Sequence, residues 1–216
     1  MKTIFILFSV FFAIGAYAGV EQIVRLAEPE EPPTLNSMKA ADTVSAFILG
    51  HISEGLTRLD SAGKIVAGVA EKWEIGDKSA TFHLRKNAKW SDGKPVTAKD
   101  FVFAWQNALD PKTASDYAFI LYYLKNGEAI NKGKVPPSDL GVVAKDDYTL
   151  FVNFEKPCAY FASLASFQTY APVREDFFKQ HGEKYAAEAN TLLYNGPFML
   201  TSWVHGASLK MVKNPN

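Results

Sequence analysis

The sequence predicts a mixed α/β fold, of the α+β kind, and three adjacent patterns predict it. Apolar and polar residues alternate in Thr81–Arg85 with the period of two that is typical of a half-buried strand. From Thr97 to Leu109, apolar residues recur at intervals of one, three and four, as on one face of a helix. Between them, Ser91–Lys94 has the composition of a tight turn. A strand, a turn and a helix therefore follow one another.

Both ends of this central helix carry local signals. Thr97 is a good N-cap residue, and Asp100 three positions later favours the positive end of the helix dipole. Asp110 and Pro111 end the helix, because proline disfavours a helical residue before it and has no backbone N–H. Trp105 lies on the apolar face, and we assign it to the core.

The same patterns assign the segments before this block. They predict a strand at Gln22–Leu26, a helix at Val44–Ser53, and strands at Leu56–Leu59, Val69–Glu74 and from Ala80. Turn residues separate the strands at Asp60–Lys64 and Gly76–Asp77. The strands should therefore form an antiparallel meander.

Short helices and strands also follow the central helix. The predicted helices are Tyr117–Leu124, Ala159–Ala165 and Asp176–Gly182. The predicted strands are Val142–Ala144, Thr149–Phe154, Phe198–Val204 and Ser208–Val212. A turn at Asp146 and Asp147 joins the first two of these strands.

Residues 1–18 have the pattern of a signal peptide. Lys2 supplies the positive start, Ile4–Ile14 is an apolar run of the expected length, and Ala16–Ala18 matches an A-x-A cleavage site. No cysteine lies next to that site, so a lipid anchor is not indicated. The mature chain should be exported to the periplasm or beyond the cell.

Composition and motifs argue against several classes of function. Lysine plus arginine equals aspartate plus glutamate at 23 each, so no net charge favours nucleic acid. The four histidines are scattered and belong to no metalloprotease, nucleophile-elbow or phosphate-loop motif. We therefore expect a protein that is not an enzyme and that holds no cofactor and no metal.

Ordered motifs along the chain resemble one known family. They are PPTLN (Pro32–Asn36), EGLTRLD (Glu54–Asp60), GVAEKWE (Gly68–Glu74), the long block FHLRKNAKWSDGKPVTAKDFVFAWQNALDPKTASDYA (Phe82–Ala118), DLGVVAKDDYTLFVNF (Asp139–Phe154) and NGPFMLTSW (Asn195–Trp203). In this order and spacing, the motifs resemble the oligopeptide- and dipeptide-binding proteins of ABC importers, extracellular solute-binding family 5.

The resemblance implies a periplasmic binding protein-like fold of class II, the three-domain type. Residues 19–53 would form the first segment of domain I, residues 54–174 domain II, and residues 175–216 a truncated return into domain I. Domain III would be missing. We therefore expect weak or absent ligand binding by this chain alone.

The resemblance also implies a function. The chain would be the substrate-binding component of an ABC importer, a monomer that binds oligopeptides and delivers them to a permease in the inner membrane. Within the family, the ligand could instead be a murein peptide, a chelated metal or another small solute. An alternative of another class, a secreted hydrolase of cell-wall peptides or glycans, has only export and aromatic content in its favour.

Five ligand-binding residues follow from the resemblance. The segment Ala41, Asp42 and Thr43 would offer backbone groups to an extended peptide, which would add to it as a strand. Tyr117 occupies a ligand-contacting tyrosine position, and Phe167 falls where the family has a histidine near the ligand. For the backbone segment an ordinary loop, and for Tyr117 plain packing, stay open as alternatives.

Overall fold

The computed structural model describes residues 24–216. The predicted signal peptide lies outside the described residues, as does the start of the predicted strand Gln22–Leu26. Its described part, Val24–Leu26, is exposed and is not a strand, so the prediction is wrong for these residues. A strand needs a hydrogen-bonded neighbour, and no strand of the described chain pairs with them.

Helices and strands alternate irregularly along the described residues. The helices are α1 (Thr43–Ile52), α2 (Ala98–Leu109), α3 (Gly127–Asn131), α4 (Phe161–Leu164) and α5 (Glu175–His181). The strands are β1 (Thr57–Leu59), β2 (Ile65–Ala67), β3 (Ala70–Ile75), β4 (Ser79–Leu84), β5 (Val142–Asp146), β6 (Thr149–Asn153), β7 (Phe198–Val204) and β8 (Ser208–Lys213). The mixed fold is as predicted, and most predicted elements are present with shifted ends.

The largest sheet has four antiparallel strands in the order β3-β4-β6-β5. β4 buries Ala80, Phe82 and Leu84, the alternation that the sequence predicts, and Phe82 lies opposite Leu150 of β6. The predicted meander is correct for β3 and β4 but wrong beyond them, because β1 and β2 form a separate hairpin. The second neighbour of β4 comes from a distant part of the chain, which local turn signals do not reveal.

Helix α2 packs against this sheet and confirms the central prediction. Thr97 and Asp100 form a reciprocal capping box at its start. Its inward face buries Phe101, Ala104 and Trp105 completely. The ring of Trp105 meets the rings of Phe101 and Phe161 edge to face, with centroids 6.1 and 6.3 Å away. The helix is therefore the centre of the larger hydrophobic core.

The buried apolar residues form two clusters. The first core surrounds α2 and the four-stranded sheet, and apart from Met38 its members lie between Leu56 and Val173. The second core lies between α1 and the β7-β8 hairpin. Its members are Leu35, Ala40, Val44, Ile48, Leu49, Ile52, Ala186, Leu192, Tyr194 and Leu200. The chain thus leaves the second core at the end of α1 and re-enters it after α5.

The return to the second core is fastened by the Asn195-Gly196 pair. The side chain of Asn195 accepts from the Glu54 N–H at 3.1 Å and donates to the Glu54 carbonyl at 2.8 Å. The Gly196 N–H donates to the carbonyl of Ile52 at 3.1 Å. These bonds join the end of α1 to the start of β7, although the two segments are far apart in sequence.

Asp100 is a buried carboxylate at the start of α2. Its side chain accepts from the Thr97 N–H at 2.8 Å and from the indole N–H of Trp90 at 3.2 Å. Burial raises the pKa of Asp100 above its ordinary value, and these hydrogen bonds only partly oppose that shift. The folded protein therefore binds a proton at this group more tightly than the unfolded chain does.

This shift predicts a pH dependence of stability. The contribution of Asp100 is present below the ordinary aspartate pKa of 3.8 and is lost as pH rises through the raised value. Asp100→Asn removes the titrating group, so wild type should lose stability relative to the variant as pH rises through that window. Urea unfolding at several pH values measures the difference, with the exposed Asp77→Asn as control. Parallel stability curves for wild type and Asp100→Asn would contradict it.

Candidate functional site

Two turns carry the predicted ligand-contacting aromatic residues, and α2 holds both in place. The indole N–H of Trp105 donates to the carbonyl of Tyr170 at 3.0 Å. The hydroxyl of Tyr170 in turn donates to the carbonyl of Ile120 at 2.7 Å. The buried Tyr170 ring also meets the Trp105 ring edge to face at 5.1 Å. A continuous series of contacts thus connects helix α2 to both turns.

The two turns are 3-10 helices. Tyr117 precedes Ala118–Tyr123, and Phe167 precedes Gln168–Tyr170. The helix predicted at Tyr117–Leu124 is therefore present as a 3-10 helix, Ala118–Tyr123. Its backbone repeats i to i+3 hydrogen bonds, such as the bond from Ile120 N–H to the Tyr117 carbonyl at 3.1 Å.

These turns bring Tyr117 and Phe167 together. Their ring centroids are 5.2 Å apart, and the ring of Phe119 stacks on Tyr117 at 5.6 Å. Phe119 is 55% exposed, whereas Tyr117 and Phe167 are half-buried. We call Tyr117, Phe119 and Phe167 the aromatic cluster. The sequence analysis did not select Phe119. Its position two residues after Tyr117 was the one signal that could have pointed to it.

The predicted backbone segment lies at the start of α1. Asp42 is the N-cap, and its Oδ1 accepts from the Ser45 N–H at 2.8 Å. Burial opposes ionisation of Asp42, but the hydrogen bonds from Ser45 prevail and lower its pKa. Ala41 and Thr43 are exposed. In the described chain, the backbone N–H and C=O of Ala41 have no hydrogen-bond partner.

The two parts of the predicted site belong to elements that touch. Helix α1, which begins at Thr43, packs against the turn Gln168–Tyr170 that follows Phe167. The Ala41–Thr43 segment itself belongs to the α1 side, beside the second core, and the aromatic cluster lies on the side of the first core. The predicted site therefore spans both cores.

A groove of about 750 Å³ lies elsewhere on the described chain. Its walls come from Glu31–Lys39, the end of α2, the segment after α5, and the tip of the β7-β8 hairpin. None of the five predicted ligand-binding residues lines it. Sequence reasoning missed this groove because its walls are far apart in the chain and carry no shared motif.

One wall of the groove is held by the carboxylate of Glu31. It accepts from the indole N–H of Trp203 at 3.0 Å and from the Gly206 N–H at 2.7 Å, and it contacts Nδ1 of His205 at 2.5 Å. The hydrogen bond with His205 lowers the pKa of Glu31 and raises that of His205. The side chain of Glu31 thus links the segment before α1 to the tip of the β7-β8 hairpin, which is a structural role.

Residues 64–216 match the family model of bacterial extracellular solute-binding proteins, family 5 Middle. The chain belongs to solute-binding family 5. The family consists of binding proteins rather than enzymes, and the mixed α/β fold is that of its periplasmic peptide-binding members. The family predicted from the ordered motifs is thereby confirmed.

Three family 5 proteins are similar to this chain. A dipeptide-binding protein, DppE, of Bacillus subtilis is 42% identical over 90% of this chain and 36% of its own length. A probable deoxycholate-binding periplasmic protein, YgiS, of Escherichia coli is 39% identical over 90% of this chain and 37% of its own. The structure of Listeria monocytogenes OppA bound to peptide superposes with a TM-score of 0.83, at 42% identity, over 87% of this chain and 38% of that one. The chain thus spans less than two fifths of each relative.

No helix among residues 24–216 is long and apolar enough to cross a membrane. The same residues contain no group of three or more histidine, cysteine, aspartate or glutamate side chains arranged to hold a metal ion.

The hydrogen bond from the Tyr170 hydroxyl to the Ile120 carbonyl should stabilise the folded protein, and a substitution can test this. Tyr170→Phe keeps the ring but leaves the part-buried carbonyl of Ile120 without its donor, so we expect a loss of about 1–2 kcal/mol in the free energy of unfolding. Urea unfolding measures this loss, and Tyr160→Phe, at a half-exposed tyrosine, is the control. Equal stability of wild type and Tyr170→Phe would show that the bond does not fasten the turns.

Proposed function

We propose that this chain acts in peptide uptake, as part of the extracytoplasmic binding component of an ABC importer. The observation that carries the proposal is its likeness in sequence and fold to an OppA bound to peptide. The activity would consist of binding and release, with no bond made or broken. The chain would therefore not be an enzyme and would need no cofactor.

Backbone pairing would supply much of the affinity. The exposed Ala41 has an N–H and a C=O without hydrogen-bond partners among the described residues, so an extended peptide can pair there as an added strand. The cap at Asp42 fixes the segment where α1 begins. Main-chain pairing tolerates varied ligand side chains, which suits the uptake of mixed peptides.

Tyr117 and Phe167 would contact the ligand from the other side of the site. Both rings are half-buried, and the contacts from Trp105 through Tyr170 to Ile120 hold their turns before any ligand arrives. Groups that are already ordered lose little conformational entropy on binding. A rigid aromatic wall together with a backbone segment that has free hydrogen-bonding groups would suit an extended peptide.

The two cores support a division into domains. We propose that residues 19–53 and 175–216 belong to domain I and that residues 54–174 form domain II. Each proposed unit contains one core, with Met38 the exception. A ligand that binds the closed arrangement of the lobes better than the open one would shift the protein towards closure.

Export and delivery follow from the same proposal. Relatives are periplasmic or extracellular binding proteins, and residues 1–18 have the pattern of a cleaved signal peptide without a lipid anchor. The protein would act as a monomer in the periplasm and deliver its peptide to an ABC permease in the inner membrane.

Thermal unfolding tests the proposal. The protein, purified from its native host at the length the host makes, should gain several degrees in Tm with a mixed tri- and tetrapeptide library at millimolar concentration. A matched mixture of free amino acids is the control and should have no effect. A Tm that the peptide library leaves unchanged would contradict peptide binding.

A small amphipathic solute is the second candidate ligand, because YgiS is named as a probable deoxycholate-binding protein. Deoxycholate in the same assay distinguishes the two ligands, since the peptide proposal predicts no gain in Tm with it. A secreted hydrolase has no support from the family, whose members are binding proteins. Peptide turnover that survives purification and is abolished by one acidic substitution would revive it.

A further inference from the structure

The groove beside Glu31 has the size and the walls of a small-molecule site. Its volume of about 750 Å³ lies within the range of roughly 300–1,000 Å³ that is usual for ligand pockets. Three separate segments contribute walls: residues 31–39, the end of α2 with the turn after it, and residues 182–187. The bonds from Trp203 and Gly206 to Glu31 hold the first of these walls in place. The groove is therefore defined by the fold rather than by a single loop.

Two asparagines in the groove walls have amide nitrogens that are free to donate. Asn36 is only 7% exposed, and its Oδ1 accepts from the Met38 N–H at 3.1 Å, which leaves Nδ2 without a partner among the described residues. The Oδ1 of Asn107 accepts from the Thr113 hydroxyl at 3.1 Å, and its Nδ2 also has no partner in that part of the chain. A polar group that is nearly buried and not hydrogen-bonded is costly. A ligand with oxygen atoms in the groove would supply the missing acceptors.

Charged groups of both signs line the same groove. Lys39 and Lys112 are exposed and form no ion pair within the described chain. Glu183 is exposed and likewise unpaired there, and Asp110 uses its Oδ1 to accept from the Lys112 N–H at 2.9 Å. Apart from the pair that Glu31 forms at the hairpin tip, two cations and two carboxylates thus share the groove. They leave no net charge that would favour an anion or a cation.

Aromatic rings supply the apolar part of the groove. Trp203, Tyr185 and Phe178 all line it. The ring of Tyr185 meets that of Phe178 edge to face with centroids 5.0 Å apart, and the ring of Trp203 packs against that of His205 at 4.5 Å. The hydroxyl of Tyr185 has no hydrogen-bond partner among the described residues. The groove thus combines packed rings with free donors and acceptors.

We propose that this groove binds a neutral sugar of one or two rings. Sugar hydroxyls both donate and accept, so they can satisfy the asparagine amides and the carboxylates of the same site. The C–H faces of a sugar ring are apolar and can pack on Trp203 or Tyr185. A neutral sugar also matches the balance of two lysines and two carboxylates. The site goes beyond the proposed peptide binding, because none of the five predicted ligand-binding residues lines the groove.

Saturation-transfer NMR tests this with the protein at the length its native host makes. The probes are glucose, N-acetylglucosamine, maltose and cellobiose, and the comparison ligands are acetate, ethylammonium and glycine. We expect at least one sugar to bind with a Kd of about 1 mM, as a few hydrogen bonds and one ring contact in an open groove would give. The three charged ligands should give no signal.

Two variants and two controls place the sugar in the groove. Tyr185→Phe removes a hydroxyl that has no internal partner in the described chain, so this variant should keep the Tm of wild type. Asn107→Ala removes one of the free amides. Each should weaken sugar binding about fivefold to tenfold, as the loss of one hydrogen bond would give. Tyr160→Phe and Asn87→Ala make matched changes at exposed residues outside the groove and should leave the Kd unchanged.

Peptide binding is measured on the same samples, so that the two proposals fail separately. Peptide binding without sugar binding would overturn this inference alone, whereas sugar binding without peptide binding would overturn the proposed function alone. A saturating tetrapeptide library should leave the sugar signal in place. Displacement of the sugar by peptides, or a Kd that both groove variants leave unchanged, would show that the sugar binds elsewhere. Binding of a charged ligand in place of the sugars would also overturn the inference.

Discussion

Trp105→Ala is expected to lower the free energy of unfolding by about 3–5 kcal/mol. The side chain is completely buried in the first core, where its ring contacts Phe101, Phe161 and Tyr170. Its loss leaves a cavity that these rings cannot fill. It also leaves the carbonyl of Tyr170 without its indole donor, which adds the cost of an unsatisfied polar group.

Two controls separate these contributions in urea unfolding. Trp105→Phe keeps most of the packing but removes the hydrogen bond, so its loss should be smaller than that of the alanine variant. Trp73→Ala removes a half-buried tryptophan from edge strand β3 and should also cost less. A loss below about 1 kcal/mol for Trp105→Ala would contradict its place at the centre of the core.

The second large effect is expected at Gly196, where a side chain has no room. An added Cβ would lie 2.6 Å from both the Ile52 carbonyl carbon and the Ser53 nitrogen, which are backbone atoms at the end of α1. Gly196→Ala must therefore shift one of the two backbones and strain the hydrogen bond from Gly196 to Ile52. We expect a loss of about 2–3 kcal/mol in the free energy of unfolding.

Gly50→Ala is the matched control for this prediction. Gly50 is exposed on α1, and a Cβ there would meet nothing within 4 Å. Alanine has the better helix propensity, so this variant should gain about 0.5–1 kcal/mol. Thermal and urea unfolding of both variants should therefore give changes of opposite sign. A neutral Gly196→Ala would show that the α1-to-β7 connection is not tightly packed.

How much of the fold the sequence predicts depends on how local each signal is. Helix α2 is predicted with both ends, because the capping residues, the apolar spacing and Asp110-Pro111 all lie within it or directly next to it in the sequence. Strands β5 and β6 are likewise predicted from their own alternation and the turn between them. The pairing of β4 with β6 is not predicted, because it depends on which surfaces the core buries together.

Local sequence signals likewise predict only part of the candidate site. Tyr117 and Phe167 are chosen from a resemblance to a family, and only the fold places their rings 5.2 Å apart. Phe119 escapes prediction because an aromatic residue in a helical pattern usually belongs to the core. Its exposure becomes visible only once the segment is a 3-10 helix beside Phe167. The groove at Glu31 and Trp203 depends entirely on tertiary contacts.

The claim that this chain serves peptide binding is tested most directly by native mass spectrometry of the protein from its native host. One spectrum gives the mass of the processed protein and the masses of any ligands that it carries. We expect adducts with the masses of short peptides, which dissociate on activation and which an added tetrapeptide library replaces. A protein that carries no peptide and acquires none from the library would contradict the proposed peptide binding.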